Sequence, residues 1–472
     1  MSISTAPVVP AGLRRNYLSL PEVVAQAVGG VAPSGSPALI IPAVFATVGN
    51  GTWLAYLFAT IALLLVSWSI NQFASRAASP GALYVYAAKG LGPIWGAISG
   101  WSLLVAYVFT AAAVIGGSVN YLLVLVHMGL GTAHDYVFGI LLSLVAGCIA
   151  WMLAYRDIKL STRAILVIEF ITAALILALI VGWFCVKGHP FDPQQATLKD
   201  VTGDKLRLGL VLAFFSFVGF ESATSVGVEA RRPFEVVPKA VIISVLACGF
   251  LFVVSAYGLV AAFHSLSPTL DKAEAPLTVI SVALGVPFVG ILISAGVALS
   301  FFACVLGSVN AGARVLFALS KHGLVHTSTG KAHASNATPH VAVCVVALVA
   351  IIASVSLSVA GIGLLDGFNY LGSIATFGFL FTYILVAISA PVFLYKIGAL
   401  KPIHIGITVL TVGLLVIPLV GSVYPIPDWP VSLLPWLFLA MVAMGFGYFI
   451  FLKLKDPGRL LEMEADLLED SQ

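Results

Sequence analysis

Six stretches of this 472-residue chain, 53–70, 136–154, 164–186, 241–263, 341–360 and 432–451, carry at most one charged residue each. Each is about as long as the ~20 residues an α-helix needs to cross ~30 Å of hydrocarbon. Inside lipid, backbone N–H and C=O groups must be satisfied within the protein, which restricts such runs to helices. The alternative, buried helices of a large soluble globule, requires a polar shell from the rest of the chain. Charged residues are only 9% of the total, against roughly 25% in soluble domains. No segment makes up the deficit. The pattern predicts an all-α polytopic membrane protein.

Hydropathy suggests about twelve spans, near 18–47, 52–74, 92–124, 136–155, 162–186, 208–230, 238–264, 287–320, 341–360, 367–392, 402–420 and 430–452. An even number returns both termini to one side. Of the 23 Lys and Arg residues, 18 fall on that side and five (Lys187, Lys199, Lys205, Arg207 and Lys272) on the other. The positive-inside rule then predicts that both termini are cytoplasmic, and the expected location is the plasma membrane, a bacterial inner membrane in the first place. The expected layout is a cytoplasmic segment 1–17, a first repeat 18–186 (spans one to five), a second repeat 208–392 (spans six to ten), two further spans within 402–452 and a tail 453–472, acidic over 462–470.

Several function classes fall away. A net charge of +3 gives no case for nucleic acid, and the five cysteines lie singly in apolar stretches, as small core residues do. No Gly-rich loop ends in Lys-Ser or Lys-Thr, so no ATP-binding engine is visible. No metal cluster or nucleophile motif suggests an enzyme. Arg14-Arg15 resembles a twin-arginine signal, but the apolar segment behind it contains Glu22 and runs past residue 40, which reads as a cytoplasmic flank.

Spans one and six are both interrupted. In span one, Pro33 and Pro37 bracket Ser34-Gly35-Ser36. Each proline lacks a donor and clashes with the preceding turn, and Gly35 adds backbone freedom. Span six carries Gly219 beside an intramembrane carboxylate, Glu221, amid aromatic residues; such a residue is costly in a membrane and usually functional. A simple kink and a structural carboxylate are the plain alternatives. About five spans separate the breaks, and an odd number reverses the second copy relative to the first. Inverted repeats of this kind bring discontinuous helices together near the midplane as a substrate site. Half-helix N-termini suit a carboxylate and exposed carbonyls suit an ammonium group, so an α-amino acid satisfies both.

These residues resemble the amino acid–polyamine–organocation (APC) superfamily. The likeness is carried by Phe214-Phe215-Ser216-Phe217-Val218-Gly219-Phe220-Glu221 with Glu229-Ala230-Arg231-Arg232-Pro233, by the stretch Ser75 to Tyr86 with Gly100-Trp101, and by Asn310 to Arg314 with Lys321-His322-Gly323. The resemblance implies the LeuT-type five-plus-five inverted-repeat fold, in which a bundle rocks against spans three, four, eight and nine. It further implies a secondary amino-acid transporter, with the substrate carboxyl against Pro33, Ser34, Gly35 and Ser36. The substrate amine would meet carbonyls near Val31 and Ala32 and in the stretch Phe215, Ser216, Phe217 and Val218. Phe215 is expected to cap the substrate or simply to pack, and Thr110 to line the side-chain pocket. Glu221 is expected to link substrate binding to gate movement.

Three departures stand out. Pro33-Ser34-Gly35 replaces the family's usual Gly-Ser/Ala-Gly. Thr172 stands where some proton-coupled members carry a lysine, with Glu169 one turn earlier. Sodium, held near Val31 and Ser308, or a proton, accepted by Glu169, are the two coupling ions this suggests; Glu169 paired with Arg163 or a hydroxyl is a third reading. Neither break carries a fixed charge beyond Glu221, which argues against a dedicated exchanger of cationic substrates. An amine transporter of the same fold and, from another class, an ion channel or receptor are the competing functions. Gly96 and Gly100 read as a small-residue packing face. Arg231, Arg232 and Lys239 beside Glu229 and Glu235 read as a cytoplasmic gate network or as a solvated loop.

Overall fold

The computed structural model describes residues 18–76, 83–130, 135–156, 162–187, 190–331, 333 and 338–455. Arg14-Arg15, most of the tail, the side chain of Arg163 and part of the Ser75–Tyr86 motif lie outside the described residues. Every long element is a helix. The first span is built from α1 (Leu20–Val31), a π-helical turn (Ser36–Ile40) and α2 (Ile41–Val48). It doubles back at Gly49–Gly51 into α3 (Thr52–Ala74). Eleven apolar stretches among the described residues are long enough to cross a membrane, and the first, Leu20–Ala74, is 55 residues long. At ~1.5 Å per residue that is too long for one crossing, and the turn at Gly49 divides it in two. The predicted twelve are recovered.

The chain continues through α4 (Leu83–Leu91), α5 (Pro93–Leu130), α6 (Asp135–Tyr155), α7 (Thr162–Lys187), a single turn α8 (Pro193–Ala196) and α9 (Gly203–Phe215). A 3-10 stretch (Phe220–Glu229) precedes α10 (Pro233–Phe263), α11 (Pro276–Ala283), α12 (Pro287–Lys321), α13 (His340–Val359), α14 (Leu364–Lys396), α15 (Pro402–Gly421) and α16 (Leu434–Lys455). The packing joins spans five apart: α3 with α10, α5 with α12, α6 with α13, and α1 with the 3-10 stretch of span six. Helices α5, α12 and α14 make the centre, whereas α15 and α16 flank it. Outward positions are apolar, among them Phe170, Leu348, Ile403, Val409 and Leu437. That inverts the surface of a water-soluble protein and suits contact with lipid tails.

Helix α4 was not foreseen as a helix. Its residues Leu83 to Ala88 are buried, and it packs on α5 and α14. It explains the two small residues at the start of α5. A methyl group on Gly96 would lie 2.4 Å from Ala88 Cβ, and one on Gly100 would lie 2.9 Å from Leu319. The small-residue face admits α4 and α12, so its role is close packing.

The ends of the spans are tied on two opposite faces. On one face Asn50 donates to the Lys199 carbonyl (3.1 Å), and His264 bonds Asn50 (3.1 Å) and lies 3.2 Å from Asp192. On the other, Leu18 and Ala230 form a parallel bridge, Tyr84 bonds His322 (2.9 Å) and Lys396 donates to the carbonyls of Lys89 and Gly90. The expected basic network is wired differently. Glu229 takes Arg314 of α12 (3.4 Å), and Glu235 pairs at 3.6 Å with Arg232 of its own turn. The Arg232–Glu235 pair is local, but the Glu229 bond crosses between spans six and eight.

Candidate functional site

Helix α1 starts at a capped end, where the Ser19 N–H donates to the Glu22 carboxylate (2.7 Å). It ends at Ala32, whose left-handed backbone (φ 52°) breaks the helix before Pro33. The Ala32 N–H reaches back to the Val28 carbonyl (3.1 Å), and the Gly35 N–H closes a turn onto the Ala32 carbonyl (2.9 Å). The chain then re-enters a helix through the π turn that begins with Ser36 and Pro37. Val31, Ala32, Ser34 and Ser36 are all buried.

Span six breaks in a comparable way. After α9 ends at Phe215, the N–H groups of Phe217 and Val218 close tight turns onto Phe214 (3.0 Å) and Phe215 (3.1 Å). Gly219 then adopts φ 107°, a conformation for which a side chain is unsuited. Among the described residues no hydrogen bond ends on the carbonyls of Ser216 or Val218. These are free acceptors at membrane depth.

The two breaks touch. A methyl group on Gly219 would lie 2.4 Å from the Gly30 carbonyl, and one on Gly30 would lie 3.1 Å from the Gly219 oxygen and from Ser222 Oγ. The crossing requires glycine at position 219 and leaves little room for a side chain at position 30. Ser222 Oγ also donates to the Gln26 carbonyl (3.3 Å), tying the half-helices together beyond it.

Aromatic rings cover the site on the side from which α9 arrives. Phe215 meets Phe368 edge-on (5.5 Å between centroids), Phe368 meets Phe301 likewise (5.5 Å), and Phe301 lies directly on Gly35. The opposite side is a polar layer. Glu221, 1% exposed, accepts from Tyr107 Oη of α5 (2.9 Å), Tyr383 Oη of α14 (2.8 Å) and the Gly219 N–H (3.2 Å). Phe379 and Phe220 pack around the tyrosine rings. Further along, Arg314 donates to Glu229 (3.4 Å) and to the Ser225 carbonyl (3.3 Å). A separate cavity of about 310 Å³, lined by Asn120, Leu123, Glu274, Ser358 and Leu364 among others, contains none of the break residues.

The residues singled out in the sequence divide into two groups. Phe215, Gly35 and Glu221 lie around the crossing. Others turn elsewhere. Phe217 packs on Phe252 of α10 (4.9 Å), and Ser216 Oγ bonds Tyr56 Oη of α3 (2.9 Å). Thr110 and Thr172 donate to carbonyls one turn back in their own helices (2.9 and 2.8 Å), and Thr172 is pressed against Gly296. Pro33 has no N–H, that of Ser34 points at Glu169 Oε2 (3.4 Å), and that of Gly35 is used by Ala32. The amides expected to face a substrate carboxylate are thus engaged or absent at Pro33, Ser34 and Gly35, and the buried hydroxyls of Ser34 and Ser36, unpartnered among the described residues, are the donors left at this break. Near Val31, the group that reaches span one is the Cys304 thiol, which donates to the Gly30 carbonyl (3.0 Å), with Ser308 one turn further at 3.9 Å from the sulfur.

Tyr107, Tyr383, Phe301, Phe368 and Ser300 were missed. Tyr107 is one turn from Thr110 on the same helix face. Ser300, Cys304 and Ser308 form an i, i+4, i+8 stripe on α12, a helical period legible in hindsight.

An all-α polytopic membrane protein with two broken helices crossing at a buried, polar-lined site defines a membrane-carrier architecture. The family model for amino acid permeases matches residues 22–457, and the chain belongs to that family, within the APC superfamily. It is 28% identical over 312 residues to the branched-chain amino acid permease BcaP of Bacillus subtilis, covering 63% of this chain and 65% of that one. It is 25% identical over 352 residues to cationic amino acid transporter 4 of Mus musculus, covering 70% and 54%, respectively. Its match to the low-affinity putrescine importer PlaP of Escherichia coli is 26% over 307 residues, covering 63% and 66%. The aligned part spans between about half and two thirds of these relatives.

Proposed function

We propose that this protein is a secondary transporter that carries a small ammonium-bearing molecule, an amino acid in the first place, across the plasma membrane by alternating access. The observation that carries the reading is the Gly30–Gly219 crossing, where two broken helices expose free carbonyls between an aromatic layer and a tyrosine–carboxylate layer. The ammonium group of the substrate lies against the Ser216 and Val218 carbonyls. Phe215, with Phe301 and Phe368, closes one side, and Tyr107, Glu221 and Tyr383 close the other. The halves 18–186 and 208–392 act as the inverted repeat, spans one and six move with their bundle, and both termini face the cytoplasm.

An amine as substrate is the second reading, favoured by one feature. The amides of Ser34 and Gly35 are engaged within the protein, so a substrate without a carboxylate loses nothing there. The name of the putrescine importer agrees with it. Counterflow of labelled leucine, arginine and putrescine into proteoliposomes tests both. Saturable counterflow of an amino acid supports the first reading, and counterflow confined to the diamine the second. Flux that neither saturates nor exchanges would indicate a channel and overturn both.

A further inference from the structure

Behind the first break, on the side away from Glu221, α7 brings a second carboxylate into the protein interior. Glu169 is 2% exposed, and its Oε2 receives the Ser34 N–H at 3.4 Å. The hydroxyls of Ser34 (0% exposed) and Ser300 (2%) approach the carboxylate as its nearest polar side chains, but neither they nor the other carboxylate oxygen make a hydrogen bond of good geometry among the described residues. Three buried oxygens thus converge without a donor of fixed direction between them. No ion pair to Glu169 is formed among the described residues. Among the described residues, the titratable groups facing it are the Cys248 thiol of α10 and the Cys304 thiol of α12; α11 contributes none, and Glu22 of α1 is at the far end of its helix. Neither thiol supplies a positive charge.

A carboxylate that is ionised, buried and unpaired is among the most costly groups a protein can hold. A cation must therefore accompany it. The three unpartnered oxygens are few for a sodium ion stripped of its water, but they suffice for a proton. An O–H on Glu169 Oε1 donates to one serine hydroxyl, that hydroxyl and its neighbour find partners in turn, and Oε2 keeps the Ser34 N–H.

We infer that Glu169, with Ser34 and Ser300, forms an intramembrane proton-binding site that shares Ser34 with the substrate break. The inference rests on the transport reading above and adds to it the coupling ion. Losing the proton leaves a full charge on Oε2 beside the Ser34 N–H and tightens that bond; gaining it loosens the bond and frees the break to adjust around substrate. Proton and substrate are thereby coupled through one residue, and the coupling is reciprocal.

The test uses the full chain in proteoliposomes without sodium. An inward proton gradient of about one pH unit is expected to drive substrate accumulation up to about tenfold for one proton carried, and Glu169→Gln to reduce it to the level of the outside solution. Ser300→Ala is expected to keep gradient-driven uptake but move the pH of its half-maximum. Counterflow at zero gradient reports substrate transport separately, so its failure counts against the transport reading. Independently of transport, the infrared spectrum of the purified protein at neutral pH is expected to show a protonated-carboxyl band that is lost in Glu169→Gln. Counterflow without any response to the proton gradient, accumulation driven by sodium alone, or identical carboxyl bands in the two proteins would each overturn the assignment.

Discussion

At the scale of single residues, two features determine whether the site exists. Gly219 must be glycine twice over, for its positive φ and for its contact with Gly30. The left-handed backbone alone costs about 1–2 kcal/mol for a residue with a side chain, and the added carbon also drives the half-helices apart. Gly219→Ala is expected to lower the melting temperature and abolish counterflow. Gly29→Ala, whose added carbon meets only Ile165 at 3.4 Å, is expected to do neither. Glu221 is the second feature. Its three donors come from α5, α14 and its own turn, so it fastens the broken helix to two others. Hydrogen bonds to a charged group are each worth about 1.5–3 kcal/mol. Tyr107→Phe and Tyr383→Phe are expected to weaken transport individually, and together by less than the sum, because both act on one carboxylate. Glu221→Gln is expected to weaken uptake or flatten its pH dependence; uptake unchanged between about pH 5 and 8 would show that the carboxylate is only structural.

At the scale of elements, helix and break were legible for different reasons. Span ends could be read because lipid demands long apolar runs, and α3 begins and ends where hydropathy placed it, at Thr52 and Ala74. The breaks could be read because Pro33, Pro37 and Gly219 cannot continue a helix. Helix α4 could not, because a short buried helix beside a span has neither the length nor the polarity contrast that marks the others. The partners of Glu221 and Glu169 were also hidden. Tyrosine and serine in an apolar run look like ordinary packing until the fold brings remote helices together. The same blindness applied to Arg314, which in the sequence was only a motif residue on the basic side and which links α12 to Glu229. Its side chain is 32% exposed, so the pair is worth at most about 1 kcal/mol. That is still a factor of about five in an equilibrium between two conformations. Arg314→Ala is expected to raise the labelling of a cysteine placed at Ser222 by reagents added from the Arg314 side, by up to that factor.

At the scale of the whole molecule, the question is which face looks outward. The tie between Asn50, His264 and Asp192 gathers the ends of spans one and seven with the segment after span five. This is the face that holds Lys187, Lys199, Lys205, Arg207 and Lys272. The bridge between Leu18 and Ala230 and the bonds from Tyr84 and Lys396 gather the ends of spans one, six, eight and ten on the opposite face, with the rest of the described basic residues. Because helices fix which ends share a face, the charge asymmetry becomes a property of two surfaces and not only of a hydropathy plot. A basic surface is retained on the cytoplasmic side during insertion. In the orientation proposed above, the aromatic layer of Phe215, Phe301 and Phe368 closes the site from outside, and the Tyr107–Glu221–Tyr383 layer closes it from the cytoplasm. The orientation is checked in intact cells with a membrane-impermeant maleimide on a variant lacking the native cysteines. A single cysteine at Gln194, beside Asp192, is expected to label, and one at Ser328, beyond α12, is expected to label only after the membrane is opened. The reverse pattern would exchange the two layers, making the carboxylate the outer gate and the phenylalanines the inner one.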